Sequence, residues 1–123
     1  MEFTKLAKQL QATNVKKGFW SEGEKKNIGE LLMLCVSELG EALDADRNGK
    51  RADMKAFELA LENGLSYEDA FKTYIKDTFE DELADAVYRI MSMSVGLGID
   101  LENHILLKHE YNKSRPFKHG KNY

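Results

Sequence analysis

The sequence predicts an all-α protein, an antiparallel helical bundle with a four-helix core. Apolar residues recur at spacings of three and four, the signature of one buried helix face. Breakers are scarce, with nine Gly and one Pro in 123 residues, and most fall where an apolar pattern stops. No stretch alternates with the period of two that a half-buried strand requires, and no two-residue hairpin turn joins apolar runs.

Each helix has its own start and stop. Phe3, Leu6, Ala7 and Leu10 form one face of a first helix, which ends near Lys16-Lys17-Gly18, where cations suit the C-terminus and glycine the position beyond it. Ser21-Glu22-Gly23-Glu24 has the capping-box form and predicts the start of a second helix. Ile28, Leu31, Leu32, Leu34, Cys35, Leu39 and Ala42 sustain that helix to Arg47-Asn48-Gly49, a run of roughly 26 residues and about 39 Å. A shorter helix is expected over residues 52–62, stopping at Asn63-Gly64. Ser66, with Asp69 three residues on, caps the next start. The pattern over 67–95 contains no Gly or Pro, but Asp77 with Glu80 offers a second start, and a break near 76–78 is the favoured reading. Gly96 and Gly98 end that helix. Asp100 caps a last one, which must finish before Arg115-Pro116, because a residue preceding proline resists the helical conformation.

The length suits one domain spanning residues 1–123, and the balance of 42% apolar and 32% charged residues is that of a soluble globular chain. Cys35 is the single cysteine, so neither an intrachain disulfide nor a Cys/His zinc motif is possible, and a reducing cytoplasm is the simplest location. The first residues lack the apolar run of a signal peptide, and no stretch reaches the roughly 20 apolar residues of a membrane span. Net charge is −3, unevenly spread: the basic C-terminal segment 108–123 carries +4 and the remainder −7.

Two carboxylate pairs lie where solvated charge is not expected. Glu38 is i+4 from Leu34 and i+3 from Cys35, so it borders the apolar stripe, and Glu41 follows one turn on. Glu82 and Asp85 repeat this arrangement beside Phe79, Leu83, Ala86 and Ile90. Like charges at this spacing repel, and partial burial adds a hydration penalty. Two packed helices would present all four across one groove, where hard cations with oxygen ligands, Mg²⁺ or Mn²⁺, would neutralise them. A di-iron carboxylate bundle would require Glu-x-x-His motifs. Leu101, Leu106 and Pro116 stand three residues before His104, His109 and His119, so none exists.

The chain resembles the MazG-like branch of the all-α nucleoside triphosphate pyrophosphohydrolases. The resemblance rests on Lys26-Asn27-Ile28-Gly29-Glu30, Ser37-Glu38-Leu39-Gly40-Glu41-Ala42-Leu43, Glu82-Leu83-Ala84-Asp85 and the segment from Tyr111 to Lys121. It implies that Glu38, Glu41, Glu82 and Asp85 are catalytic Mg²⁺ ligands, with Mn²⁺ as a substitute. It further implies cleavage of a nucleoside triphosphate to monophosphate and pyrophosphate, by attack of a metal-activated water on the α-phosphorus, in a nucleotide-pool house-cleaning role. The base is then one of the four carboxylates or Glu30. The gap between the two pairs is long, because residues 51–77 lie inside it, so the substrates of shorter relatives do not transfer.

A triphosphate needs cationic partners as well. Lys108, Arg115, Lys118 and Lys121 are candidates for its β- and γ-phosphates, since Arg offers a bidentate fork. Tyr111 and Asn112 are candidates for polar contacts, and Lys26 and Asn27 for substrate contacts at the start of the second helix. Asn27 is equally placed to cap that helix. Trp20 either stacks on a nucleobase or packs in the core. A solvated tail is the alternative for the basic segment. A nucleic-acid contact is disfavoured, because no aromatic platform interleaves with its charges. Apolar stripes on more than one side of such long helices suggest a homodimer, or else a homotetramer. The competing reading of the whole chain is a non-catalytic divalent-metal-binding helical module. A related pyrophosphatase acting on a specialised nucleotide is a third.

Overall fold

The computed structural model describes residues 2–21 and 23–122, and its described residues are all-helical, with no strand. The helices are α1 (Glu2–Lys16), α2 (Ile28–Arg47), α3 (Met54–Glu62), α4 (Tyr67–Tyr74), α5 (Phe79–Gly96) and α6 (Leu101–Lys113). No described helix is long and apolar enough to cross a membrane. The chain groups into two compact units, one of residues 25–90 and one of the described residues among 1–24 and 91–123. Helix α5 contributes residues 79–90 to the first and 91–96 to the second.

In the 25–90 unit, capping sets the boundaries. α2 begins later than the Ser21 capping box suggests and is 20 residues long. Asn27 is the N-cap, its Oδ1 accepting from the Glu30 N–H at 3.0 Å. The Ser21 box forms only a local turn: the Glu24 carboxylate accepts from the Ser21 N–H at 3.1 Å, and Glu24 N–H donates to the Ser21 carbonyl. Glu22 lies outside the described residues. Asp53 and Ser66 cap α3 and α4 through the Ala56 and Asp69 amides. These two short helices form a hairpin joined by edge-on contact of Phe57 with Tyr67, which stacks on Phe71 one turn further along α4.

The break expected near 76–78 is present, but one residue later than the Asp77–Glu80 pair implies. Asp77 adopts φ +63°, which ends the α4 segment. Thr78 then caps α5: its hydroxyl oxygen accepts from the Asp81 N–H at 3.3 Å, while Asp81 reaches back to accept from the Asp77 N–H at 2.9 Å. Glu80 has another task. Its carboxylate accepts from the Ala52 N–H at 2.6 Å. Phe79 N–H donates to the Lys50 carbonyl at 2.9 Å, and the Arg51 guanidinium lies over the Phe79 ring while bonding Asp46 at 2.9 Å. The end of α2 is thereby tied to the start of α5. Further along, Glu38 meets residues 82–89 of α5, so the two helices run antiparallel in this unit. Small side chains occupy the tight positions, with Cys35, Ala42 and Ala45 of α2 and Ala86 of α5 all buried.

The other unit packs α1 with α6 and the end of α5. Ala7, Leu10 and Met91 form its core, with Phe3 and Val95 against them. A polar pair is buried and satisfied beside it: the Ser92 hydroxyl donates to Gln11 Oε1 and accepts from Asn14 Nδ2 at 2.9 Å. α1 ends as its sequence implies, with Gly18 at φ +85° and the Gly18 and Phe19 amides closing onto Val15 and Asn14. Asp100 caps α6 by accepting from the Asn103 N–H.

Candidate metal centre

The acidic residues come from two helices whose local periodicity aims them at one place. On α2, Glu38 and Glu41 are one turn apart. On α5, Glu82, Asp85 and Arg89 follow at i, i+3 and i+7, one continuous face. Carboxylate oxygens of Glu38, Glu82 and Asp85 lie within 4.8 Å of one another, which is ligand-set spacing for one cation. The inner members are buried, Glu38 at 8% exposure and Glu82 at 5%. The outer members, Glu41 and Asp85, are exposed. A cavity of about 440 Å³ opens beside them, lined by Glu41, Glu82, Asp44 and Asp77, with Lys50 as the one cation among the described lining residues.

The inner acids differ in protonation. Burial acts to raise the Glu38 carboxyl, but hydrogen bonds from Arg89 and within the cluster with Glu41 and Glu82 outweigh it, and the net shift is downward. The Arg89 Nε–Oε1 distance is 2.9 Å. Glu82 has no such cation. Burial, proton sharing with Glu41 and Glu38, and the charges of Glu41 and Asp85 push its carboxyl up to about 8. Burial and neighbouring acids raise Asp85 to about 6, against the pull of Arg89. Two linked carboxyls held in opposite protonation states are what a dense acidic cluster adopts without a cation.

Glu82 Oε2 is buried and has no hydrogen-bond partner. An orphaned carboxylate oxygen inside a protein costs several kcal/mol, and a divalent cation would satisfy it. The all-oxygen donor set fits Mg²⁺ or Mn²⁺ in hardness and charge. All four expected carboxylates are therefore in this one unit, where Glu41 shares hydrogen bonds with both inner acids. Arg89 is the member the carboxylate spacing did not flag, although its position four residues after Asp85 carried the signal.

The other expected contacts divide. Lys26 is half-buried in the same unit, and Asn27 uses its Oδ1 as the α2 cap. Trp20 belongs to the other unit and is buried at 8% exposure. It lies so close to Gly96 that a Cβ there would overlap the indole, which is the packing role, not an open stacking face. At the end of α6, Lys108 and Arg115 both lie over the Tyr111 ring, 5.3 and 5.5 Å from its centre, because three- and four-residue spacings place them on one side. Asn112 Oδ1 nearby is buried without a partner. Lys118 lies over Phe117, which is 89% exposed. Lys118 and His119 both adopt φ +53°, and Lys121 is exposed beyond them.

Comparison of the chain with protein-family models, with curated proteins and with solved structures returns no match.

Proposed function

We propose that this protein is a Mg²⁺-dependent nucleoside triphosphate pyrophosphohydrolase of the MazG-like all-α type, releasing pyrophosphate and a nucleoside monophosphate. The observation that carries the reading is the buried carboxylate cluster of Glu38, Glu82 and Asp85, with the unpartnered oxygen of Glu82 inside it. The resemblance of the sequence around these residues supplies the reaction.

Glu38, Glu82 and Asp85 hold the cation, and Glu41 completes the set at the cavity. When bound, Mg²⁺ supplies charge neutralisation between carboxylates and phosphate oxygens, and Lewis acidity at the reacting phosphoryl group. The chain's own residues prepare this. Arg89 keeps Glu38 ionised, and Glu82 gives up its proton as the site fills. One of the four carboxylates, or Glu30, accepts a proton from the attacking water. The oxygen of that water bonds to the α-phosphorus as the bond to the bridging α–β oxygen breaks, and pyrophosphate leaves with the electron pair. Lys108, Tyr111, Asn112, Arg115, Lys118 and Lys121 belong to the other unit and are given no role in this step. Positioning and charge stabilisation carry most of the catalysis in such reactions.

The same reading has a homodimer as the working form, with a tetramer second, in the cytoplasm. Leu32, Val36, Leu39 and Leu43 of α2 are each at least half exposed and recur at the 4-3-4 spacing of a helix-packing seam. Leu83, Val87 and Ile90 continue the 4-3 pattern on α5, also exposed.

Pyrophosphate release across a panel of ribo- and deoxyribonucleoside triphosphates, with Mg²⁺ and with EDTA, tests the proposal. Metal-dependent release with monophosphate as co-product supports it. Orthophosphate as the product would place the cut at another bond. Metal binding without turnover of any nucleotide would move the protein to a non-catalytic metal-binding module.

A further inference from the structure

The cavity beside the carboxylates is hostile to the polyphosphate proposed to enter it. Glu41, Asp44, Asp77 and Glu82 line it, and each repels an anion. A cation held by Glu38, Glu82 and Asp85 relieves this at one end only. The lining continues along α2 from Ser37 to Ala45, about 12 Å of helix, towards a helix C-terminus whose dipole also disfavours negative charge.

Lys50 stands at that end, and its backbone is held from two sides. Gly49, at φ +66°, turns the chain so that the Lys50 N–H donates to the Ala45 carbonyl at 2.9 Å. The Lys50 carbonyl accepts from the Phe79 N–H at 2.9 Å, which places Lys50 beside the start of α5, with Asp85 further along that helix. The side chain therefore leaves from a fixed point on the cavity wall. It is exposed and makes no ion pair among the described residues, although four carboxylates share the cavity with it. The neighbouring arginines are engaged. Arg51 bonds Asp46 at 2.9 Å and lies over Phe79, and Arg89 bonds Glu38 at 2.9 Å.

We infer that Lys50 binds the phosphate chain of the nucleoside triphosphate, its ammonium donating to a non-bridging oxygen at the end of the cavity away from Glu38 and Asp85. The inference rests on the proposed reaction and deepens it, because the metal centre and Lys50 then hold the chain at two separated points. An ammonium suits this place as a compact charge with three rotatable donors, able to meet a phosphate oxygen without the fixed fork of arginine.

The experiment is steady-state pyrophosphate release by the full chain in Mg²⁺, using the triphosphate that wild type cleaves fastest in the panel. The variants are Lys50→Met, which keeps the stem and removes the charge, and Lys50→Arg, which keeps the charge. In Lys50→Met the KM is expected to rise about 10–100-fold, the loss of one hydrogen bond to a charged group, with kcat within about threefold of wild type, as for a contact made equally in ground and transition states. Lys50→Arg should recover most of the loss. An unchanged KM in Lys50→Met would overturn the inference and leave the proposed function standing. An equal loss in both variants with lowered stability in urea would also overturn it, since that is the mark of a structural role. Mn²⁺ affinity, followed by electron paramagnetic resonance, should not weaken in either variant, and a weakened affinity would show that Lys50 acts through the metal centre instead. If wild type turns over no nucleotide, the proposed reaction falls, and calorimetric titration of inorganic tripolyphosphate in Mg²⁺ decides the phosphate site by itself. Binding to wild type that is at least about tenfold weaker in Lys50→Met retains the site, and equal or absent binding removes it.

Discussion

Replacing Glu82 by Gln should stabilise the metal-free protein and at the same time abolish its response to metal. Glu82 titrates near 8 in the folded chain against an ordinary value of 4.5. Its raised value means that the folded state holds a proton the unfolded state has released. The stability this contributes is complete below about 4.5 and is lost progressively as pH rises through about 8. Glutamine has the shape of the protonated acid, donates the same hydrogen bond, and never ionises. From the gap between the two values, the variant should exceed wild type by about 3 kcal/mol near pH 7 and by on the order of 4–5 kcal/mol near pH 9. Near pH 5 the difference should fall below about 1 kcal/mol. Urea denaturation in EDTA at these three pH values measures it. In Mg²⁺ at about 100 times its dissociation constant, wild type should gain about 2.7 kcal/mol and the variant little or nothing. If the two proteins lose stability in parallel from pH 5 to pH 9 in EDTA, Glu82 is not the group that holds the proton, and the electrostatic account of the cluster fails.

Arg89→Met should return the Glu38 carboxyl towards protonation and weaken Mg²⁺ binding more near pH 6 than near pH 8, as calorimetric titration would show. Equal weakening at both would mean that Arg89 acts through packing alone. Mg²⁺ uptake near pH 7 should release about one proton per chain, chiefly from Glu82, and less above pH 8, read from the binding enthalpy in buffers of different ionisation heat. Gly96→Ala forces a methyl group into the Trp20 ring and should cost about 1–3 kcal/mol, with a red shift of tryptophan emission and unchanged metal affinity. Leu39→Glu, in the exposed α2 seam, should shift the sedimentation coefficient to that of a monomer. A species unchanged from wild type would remove the seam from the interface.

Helix identity was legible because it depends on periodicity and breakers, both of which are local. Gly18, Asn63-Gly64, Ser66 and Asp100 terminate or cap helices where their chemistry requires. The errors occurred where two local solutions compete. Ser21 and Asn27 are both good N-caps, and the capping box at Ser21 has the stronger pattern, yet it closes only a turn and the helix waits for Asn27. At residues 77–80 the acidic residue three after Asp77 is drawn off by the Ala52 amide, a partner 28 positions away. No scan along the chain sees that bond, so the start moved to Thr78.

The site divides in the same way. Glu38 beside Cys35 and Glu82 beside Leu83 were readable as misplaced charge, because helical spacing fixes which side chains share a face. Asp77 was not readable, since its place in the cluster depends on a left-handed residue whose conformation no flanking glycine announces. The basic residues near the C-terminus were legible as charge, but their arrangement around Tyr111 depends on where α6 ends.

The cluster is costly in the absence of metal, and the fold shows how that cost is confined. Of the two buried acids, only Glu38 has a cation, and Arg89 neutralises it. Glu82 escapes ionisation by keeping its proton. Had Arg89 faced Glu82 instead, Glu82 would be the ionised acid and Glu38 the one left to keep its proton. The small residues around Glu82, Ala42, Ala45 and Ala86, allow α2 and α5 to approach closely enough for carboxylates from both to meet. In this unit the packing that gives the helices their antiparallel contact is also the packing that crowds the carboxylates of Glu38, Glu82 and Asp85 together.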